Sequence, residues 1–167
     1  TLFDLEAMRP GMVLLSAQAP DGNPAWCDVV TLMTPVATRP WEAWEGSVPG
    51  RRPEAYTALK AAMTQATVDF ACARLPELRD AIAHTYAATP LTYRHYTGAP
   101  HGAAYGLLKD WRSIMASHIP ARTKFENLLL TGQNLTVHGA IGVTLSAAAT
   151  CSEIVGTEYL AKKIANA

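Results

Sequence analysis

The sequence predicts an α+β fold, in which an antiparallel sheet packs against helices and a terminal strand–helix unit follows. Three observations lead to this prediction. Short runs rich in Val, Leu and Thr stand near the start of the 167-residue chain. Apolar residues at helical spacing dominate the middle of the chain. Near the end, a glycine-containing turn separates an apolar run from a helix of small residues.

The first elements are the two strands of a predicted β-hairpin. The runs "GMVLLSAQ" at 11–18 and "AWCDVVTLMTPV" at 25–36 are short and rich in residues that favour strands. Between them, "APDGNP" at 19–24 contains Asp-Gly and Asn-Pro steps, which are typical of turns. The next segment, 37–53, is rich in proline, so we expect a surface loop there.

Two tryptophans of this loop, Trp41 and Trp44, have two interpretations. They could form a lid over an apolar ligand, or they could pack onto the core. The second interpretation is favoured, because an indole ring removes a large apolar area from water when it is buried.

The middle of the chain predicts two helices and a further strand. Apolar residues recur every three or four positions from 53 to 75, and Pro53 suits a first helical turn. A short helix in "PELRDAIAHTY" then runs into "AATPLTYRHYT", where β-branched and aromatic residues favour a strand. The glycines that surround Pro100 predict loop structure from there to Pro120.

The last part combines a predicted strand, "NLLLTG" at 127–132, with a predicted helix at 140–155 that ends at Gly156. The first turn of this helix carries no acidic residue, so its exposed N–H groups form a site for a phosphate or an electron-rich oxygen. Many α/β proteins use the same pattern merely to reverse the chain. The sequence contains neither G-x-G-x-x-G nor G-x-x-x-x-G-K-[ST], the two glycine-rich motifs that bind nucleotides. We divide the chain into 1–125 and a terminal unit at 126–167.

Composition and spacing restrict the function. Lys plus Arg and Asp plus Glu both number 14, so the net charge of +0 argues against a nucleic-acid partner. Three cysteines without a pairing pattern predict buried thiols in a reducing compartment, and five histidines without ligand spacing predict no metal site. No apolar run is long enough to cross a bilayer, which favours a cytoplasmic protein and leaves peripheral membrane contact open.

Two stretches, 51–106 and "NLLLTGQNLTVHGAIGVTLSAAATCSEIV" at 127–155, resemble the phytoene-desaturase-like flavoproteins. That family includes carotenoid desaturases, carotenoid isomerases and retinol saturases. The resemblance implies a split FAD-binding fold, with a Rossmann-type unit upstream, a substrate domain in the middle and a C-terminal part that completes the flavin site. The chain would then be the inactive C-terminal fragment of an FAD-dependent oxidoreductase that acts on carbon–carbon bonds of a hydrophobic polyene.

The resemblance also implies site residues. The turn at 132–134 would lie near the ribityl–pyrophosphate part of FAD, and the N–H groups of 141–143 would face flavin N1 and the C2 carbonyl. Tyr105 and His138 would line the substrate pocket. The implied cofactor-binding residues are Gly132, Gln133, Asn134, Gly139, Ile141, Gly142 and Val143.

Two alternatives stay open. One is a free-standing, non-catalytic α+β module that binds an apolar ligand or a protein through 40–50 and 95–106. The other is a flavin amine oxidase, for which Tyr105 is the nearby aromatic residue. If a missing N-terminal half packs on the terminal helix, the helix surface should be unusually apolar, whereas a polar surface would favour the module. A homodimer is also left open.

Overall fold

A computed structural model describes residues 2–19 and 26–166 of the chain. The chain divides into two compact units, Thr1–Gly102 and Ala103–Ala167. Strands occur in the first unit, and both units contain helices, which agrees with the predicted α+β class. The predicted division at 125, which separates a substrate part from a cofactor part, stays a prediction.

The first unit begins with the predicted β-hairpin. Strand β1 (Leu14–Gln18) pairs antiparallel with strand β2 (Val29–Met33). Across the described ranges, this pair is the whole sheet. The predicted turn at 19–24 lies outside the described residues, apart from Ala19.

The long helix α1 (Glu54–Cys72) confirms the helical pattern, and Pro53 stands at its N-cap. Tyr56 and Met63 of this helix are buried with Phe3, Trp41 and Leu91 in one apolar cluster. The ring of Trp41 lies 5.6 Å from that of Tyr56 in an edge-on arrangement, and only 2% of Trp41 is exposed. Trp41 is therefore a core residue, as the favoured interpretation predicts, and it lies in a short 3₁₀ helix, Arg39–Trp44.

Two α-helices, α2 (Leu78–Ala81) and α3 (Pro90–Thr97), follow in the described part of this unit, and a short 3₁₀ helix, Pro100–Gly102, comes after them. The first confirms the short helix predicted after Pro76. The second shows that the predicted strand in "AATPLTYRHYT" is wrong. Thr89 and Thr92 form a capping box, Pro90 takes the first helical position, and Gly98 ends the helix with a φ of 69°. These stop and start signals outweigh the strand preference of the intervening aromatic and β-branched residues.

A polar network joins α1 to α3 beside the apolar cluster. The Tyr56 hydroxyl lies 2.9 Å from the Thr89 hydroxyl, and the Arg52 guanidinium stacks on the Tyr56 ring with its carbon 4.6 Å from the ring centre. Arg52 also donates to the Leu91 carbonyl at 3.3 Å. The cap of α3 is thus tied directly to the core of the first unit.

The described residues of the second unit form three α-helices, α4 (Ile114–Ser117), α5 (Gly139–Val155) and α6 (Thr157–Ala165). Helix α5 confirms the predicted small-residue helix, and Gly156 ends it with a φ of 86°. A short 3₁₀ helix, Trp111–Ser113, precedes α4. Fragments of helix therefore replace part of the loop that the glycine spacing predicts up to Pro120.

The strand predicted at 127–132 does not form. Leu129 makes one isolated antiparallel bridge with Arg122. The main chain of Leu130 is bonded to the Ala121 carbonyl at 2.8 Å and to the Thr150 hydroxyl at 2.7 Å. A loop and a helix side chain thus take the bonds that a neighbouring strand would need, so the split Rossmann arrangement stays a prediction.

The cysteines differ from their predicted burial. Cys72 is buried, as expected, whereas Cys27 and Cys151 are exposed, and all three are free thiols. Cys27 stands two residues before β2, and Cys151 lies on α5. Their exposure makes them useful chemical probes of the two units, because a reactive thiol must be accessible to solvent.

Candidate functional site

The N-terminus of α5 presents uncapped main-chain donors. His138 stands at the N-cap in an extended conformation and makes no side-chain capping bond, and the first turn has no acidic residue. The first N–H groups of an α-helix have no partner within the helix. Gly139, Ile141 and Val143 are exposed at this end. The helix therefore begins as an accessible cluster of donors that carries positive electrostatic potential.

Gly142 takes a different position from its neighbours, because it is buried under the preceding loop. A Cβ atom at this position would lie 2.2 Å from the carbonyl oxygen of Val137. The absence of a side chain thus lets the chain fold back closely before the helix starts. The structure accounts for this glycine by packing, and its predicted contact with a cofactor stays a prediction.

The turn before the helix contains the other predicted cofactor residues. Gly132 has a φ of 113°, and its carbonyl accepts a bond from the Leu135 N–H at 3.3 Å, with Gln133 and Asn134 between them. Leu135 is buried, whereas Asn134 is exposed. The structure therefore places 132–134 at the tip of a turn that is anchored by the apolar residue behind it.

Asn134 is already engaged within the protein. Its Oδ1 atom accepts the N–H of Leu107 at 3.0 Å, and a Cβ atom at Gly106 would lie 2.0 Å from the same oxygen. The segment after Tyr105 thus approaches the turn closely. This oxygen of Asn134 therefore has a partner within the protein, and the cofactor contact that the resemblance implies stays a prediction.

Lys109 is a functional candidate that the sequence patterns do not identify. Its ammonium group donates to the carbonyls of Ser117 and Asn134, at 2.6 Å each, and to that of Leu135 at 3.1 Å. Three donors thus meet three carbonyl oxygens. The surrounding sequence "YGLLKD" at 105–110 carries no local signal for such contacts, because the acceptors come from other parts of the chain.

The two residues predicted to line the substrate pocket lie side by side. The rings of Tyr105 and His138 have centres 4.9 Å apart and planes inclined by 36°. Tyr105 is 50% exposed, and His138 is exposed as well. The structure brings this pair together next to the start of α5, and its role toward a substrate stays a prediction.

Helix α5 combines anchored and exposed side chains. Ser146 is fully buried with its hydroxyl 3.3 Å from that of Thr136, and Glu153 forms an ion pair with Arg122 at 2.7 Å. Away from these contacts, Ile141 is 79% exposed and Ile154 is 71% exposed. On the exposed side, the Thr144 hydroxyl bonds back to the Ala140 carbonyl of the same helix at 2.9 Å. The exposed surface is therefore largely apolar.

Two properties of the described residues bear on membrane and metal binding. In the part of the chain that the structure describes, no helix combines the length and the apolar character that a membrane span needs. Within residues 2–19 and 26–166, no three His, Cys, Asp or Glu side chains are grouped as a metal site would require.

Comparison with known proteins identifies relatives of one kind. The chain is 29% identical over 143 residues to an all-trans-retinol 13,14-reductase from Homo sapiens and 30% identical over 143 residues to one from Macaca fascicularis. It is also 30% identical over 104 residues to an inactive all-trans-retinol 13,14-reductase from Danio rerio. No family model and no solved structure matches the chain.

The coverage of these matches is uneven. In the human and macaque comparisons, the alignment includes 80% of this chain but 23% of the relative. The chain therefore spans about a quarter of the length of these relatives. The retinol-saturase side of the predicted resemblance is confirmed: this chain is a homologue of all-trans-retinol 13,14-reductases over a segment of their length.

Proposed function

We propose that the chain is part of an FAD-dependent oxidoreductase that reduces a carbon–carbon double bond of a retinoid-like polyene. The observation that carries this proposal is the identity of about 30% with proteins named all-trans-retinol 13,14-reductase. The names of these relatives favour reduction of the polyene over desaturation. One relative is named inactive, so the similarity of this segment alone does not guarantee turnover.

The residues at the start of α5 fit the electron-rich edge of a flavin. Gly139 has a φ of 79°, and an added Cβ atom would meet nothing within 4 Å, so a flat ring can approach the main chain there. The N–H groups at the start of α5, of which those of 139–141 have no partner within the helix, would donate to the flavin N1 and C2 carbonyl region, and the helix dipole would favour negative charge at that edge. Gly132 and Gln133 would lie along the ribityl–pyrophosphate part.

The aromatic pair supplies a surface for the substrate. Tyr105 and His138 offer adjacent flat rings beside the same helix end, and both remain accessible. A conjugated chain can stack on such rings with little conformational cost. In the proposal, these two residues orient the polyene, and the amine-oxidase alternative receives no support from the names of the relatives.

FAD, when bound, would supply hydride transfer at flavin N5. The chain's own contribution would be to bind one edge of the ring, to exclude water from it and to hold the polyene beside it. A long polyene dissolves poorly in water. We therefore propose a cytoplasmic protein that contacts the membrane surface peripherally, where such a substrate accumulates.

The exposed apolar surface of the second unit supports the proposal that another part of a longer protein covers it. Side chains such as Leu108 and Ile141 are 84% and 79% exposed, respectively. A soluble protein rarely leaves many such side chains in contact with water. We therefore propose that the upstream part of a longer protein covers α5 and carries the nucleotide-binding half of the FAD site.

The test uses the full-length gene product, purified in its native form. We expect it to retain FAD, identified by its visible absorption and by mass after release, and to convert all-trans-retinol into a product with two additional hydrogens under reducing conditions. A Tyr105→Ala variant should bind FAD normally and raise the KM for all-trans-retinol several-fold, whereas Tyr159→Ala, which changes another half-exposed tyrosine of the same unit, should do neither.

Two outcomes of this test would contradict the proposal. A full-length protein that binds no flavin would remove the cofactor assignment. A protein that binds FAD but returns all-trans-retinol and other polyenes unchanged, with any reductant, would remove the substrate assignment and leave a flavoprotein of another specificity.

A further inference from the structure

Lys109 stands at the centre of the main-chain arrangement that supports the proposed flavin contacts. Its Nζ atom donates to Asn134 and Leu135 on the turn at 132–135, and to Ser117 at the end of α4. All three acceptors are main-chain carbonyls. The contacts of the lysine therefore depend on the path of the main chain and not on which side chains the acceptor residues carry. A hydrogen bond from a charged donor is stronger than one between neutral groups.

The contacts around Lys109 form a connected set. Two residues before it, the Leu107 N–H donates to Asn134 Oδ1 at 3.0 Å. The Leu135 carbonyl accepts a further bond from the Ile119 N–H at 2.9 Å, and Lys109 bonds to the same oxygen. The turn is thus held from two sides, by the segment that follows Tyr105 and by the segment that follows α4.

A lysine suits this position for a geometric reason. A compact ammonium group can direct three N–H bonds to three oxygens that surround one point, whereas a guanidinium group donates within a plane. The unit has little apolar interior with which to fix the turn, because Leu135 is its one large buried apolar side chain among the described residues. The polar contacts of Lys109 therefore have few substitutes.

We propose that Lys109 is a positioning residue that holds the turn at 132–135, and with it the start of α5, in the arrangement required by the flavin. This inference rests on the proposed function for the identity of the cofactor. It adds a residue that touches neither the flavin nor the polyene and acts through the main chain of Asn134 and Leu135.

The test compares the full-length protein with its Lys109→Met and Lys124→Met variants. Lys124 is an exposed lysine of the same unit and provides the matched control. Hydrogen exchange would be measured at the amides of Leu135 and Ile119, which bond within this set. We expect exchange about tenfold faster or more in Lys109→Met, because the turn loses its charged donor, and no change in Lys124→Met.

A flavin readout separates positioning from general stability. At a temperature where both variants are folded, Lys109→Met should shift the visible spectrum of bound FAD and raise the Kd for FAD about tenfold. A lysine that only stabilised the fold would lower the melting temperature and leave the flavin spectrum unchanged. A Lys109→Arg variant, which keeps the charge, should give intermediate exchange and serves if Lys109→Met does not fold.

Three results decide between the possibilities. Exchange at Leu135 and Ile119 that matches wild type in both Lys109 variants would overturn the inference. Faster exchange with an unchanged flavin spectrum and Kd would also overturn it, because the turn would not set the flavin contacts. If the wild-type protein binds no FAD, the proposed function fails, and the claim that Lys109 positions this turn for a flavin fails with it, although the exchange data would still show whether the lysine orders the turn.

Discussion

The two units of the chain are stabilised in different ways. In the first unit, Trp41, Tyr56 and Met63 lie together in a continuous apolar interior. In the second, Leu135 is the one large apolar side chain that is buried among the described residues, and Gly142 and Ser146 are the other buried positions. Hydrogen bonds from side chains to main-chain carbonyls, such as those of Lys109 and Thr150, connect the segments of this unit instead.

This difference indicates what each unit requires. Burial of large apolar side chains is the dominant favourable contribution to folding, whereas one hydrogen bond adds about 1 kcal/mol net. The first unit therefore owes more of its stability to apolar burial than the second unit does. In the proposed function, another polypeptide covers the exposed apolar side chains of the second unit.

The largest expected effect concerns the tryptophans of the two units. Trp41→Ala should reduce the free energy of unfolding by about 3–5 kcal/mol, because Trp41 is 2% exposed and packs against Tyr56. Trp111→Ala should change it by no more than about 0.5 kcal/mol, because Trp111 is 81% exposed. Urea unfolding followed by circular dichroism measures both, and equal effects would contradict the comparison.

A smaller effect is expected from a matched pair of glycines in the first unit. Gly98 and Gly102 have φ angles of 69° and 68°, but only at Gly102 would an added Cβ atom clash, at 2.0 Å from the Pro90 carbonyl oxygen. Gly98→Ala should cost about 1–2 kcal/mol for the backbone conformation alone. Gly102→Ala should cost about 1–3 kcal/mol more, because the main chain of α3 cannot move aside easily. Thermal unfolding of the two variants would refute this if their melting temperatures coincide.

The two exposed thiols test whether the second unit is covered in the complete protein. Cys27 of the first unit and Cys151 on α5 are both exposed in this chain and should react rapidly with a maleimide. In the full-length protein, the reaction rate of Cys151 should be lower by at least about tenfold, because local opening must precede reaction. The reaction rate of Cys27 should be unchanged. Mass spectrometry of the labelled peptides gives both rates in one sample. Unchanged labelling of Cys151 would show that α5 stays open.

The smallest effect is a pH dependence within the second unit. Hydrogen bonds from the Arg112 N–H and guanidinium hold the pKa of Asp110 below its ordinary value of 3.8. Because the folded pKa is depressed, this carboxylate stabilises the fold above its unfolded pKa, and the contribution disappears as the pH falls through the folded value. An NMR titration of Asp110 should have its midpoint below 3.8. In Arg112→Gln the midpoint should rise, and a wild-type midpoint at or above 3.8 would show that these bonds do not persist in solution.

The fold could be predicted from the sequence where local signals agree. Helices α1 and α5 have apolar or small residues at helical spacing and clear ends at Pro53 and Gly156, and both are confirmed. The prediction at α3 is wrong because strand preferences and helix-capping signals compete in the same eight residues, and the capping box decides. The strand predicted at 127–132 is wrong because a strand needs a neighbour, which local patterns do not reveal.

The candidate site divides in the same manner. The turn at 132–134 and the start of α5 are adjacent in the sequence, so the glycine pattern was sufficient to propose them. The contact between the Tyr105 and His138 rings and the contacts of Lys109 depend on segments that are distant in the sequence. The resemblance could suggest Tyr105 and His138 as pocket residues. Lys109 could be identified only from the hydrogen bonds that its side chain makes in the structure.

The central claim is that the start of α5 binds FAD in the complete protein. The most direct measurement is the Kd for FAD of full-length Gly139→Ala and Gly156→Ala variants, determined by titration of the apoprotein. Both glycines have positive φ angles, 79° and 86°, and open space at the Cβ position, and they stand at opposite ends of the same helix. The account predicts similar losses of stability but weaker FAD binding, by about tenfold or more, in Gly139→Ala alone. Equal affinities in the two variants would contradict it.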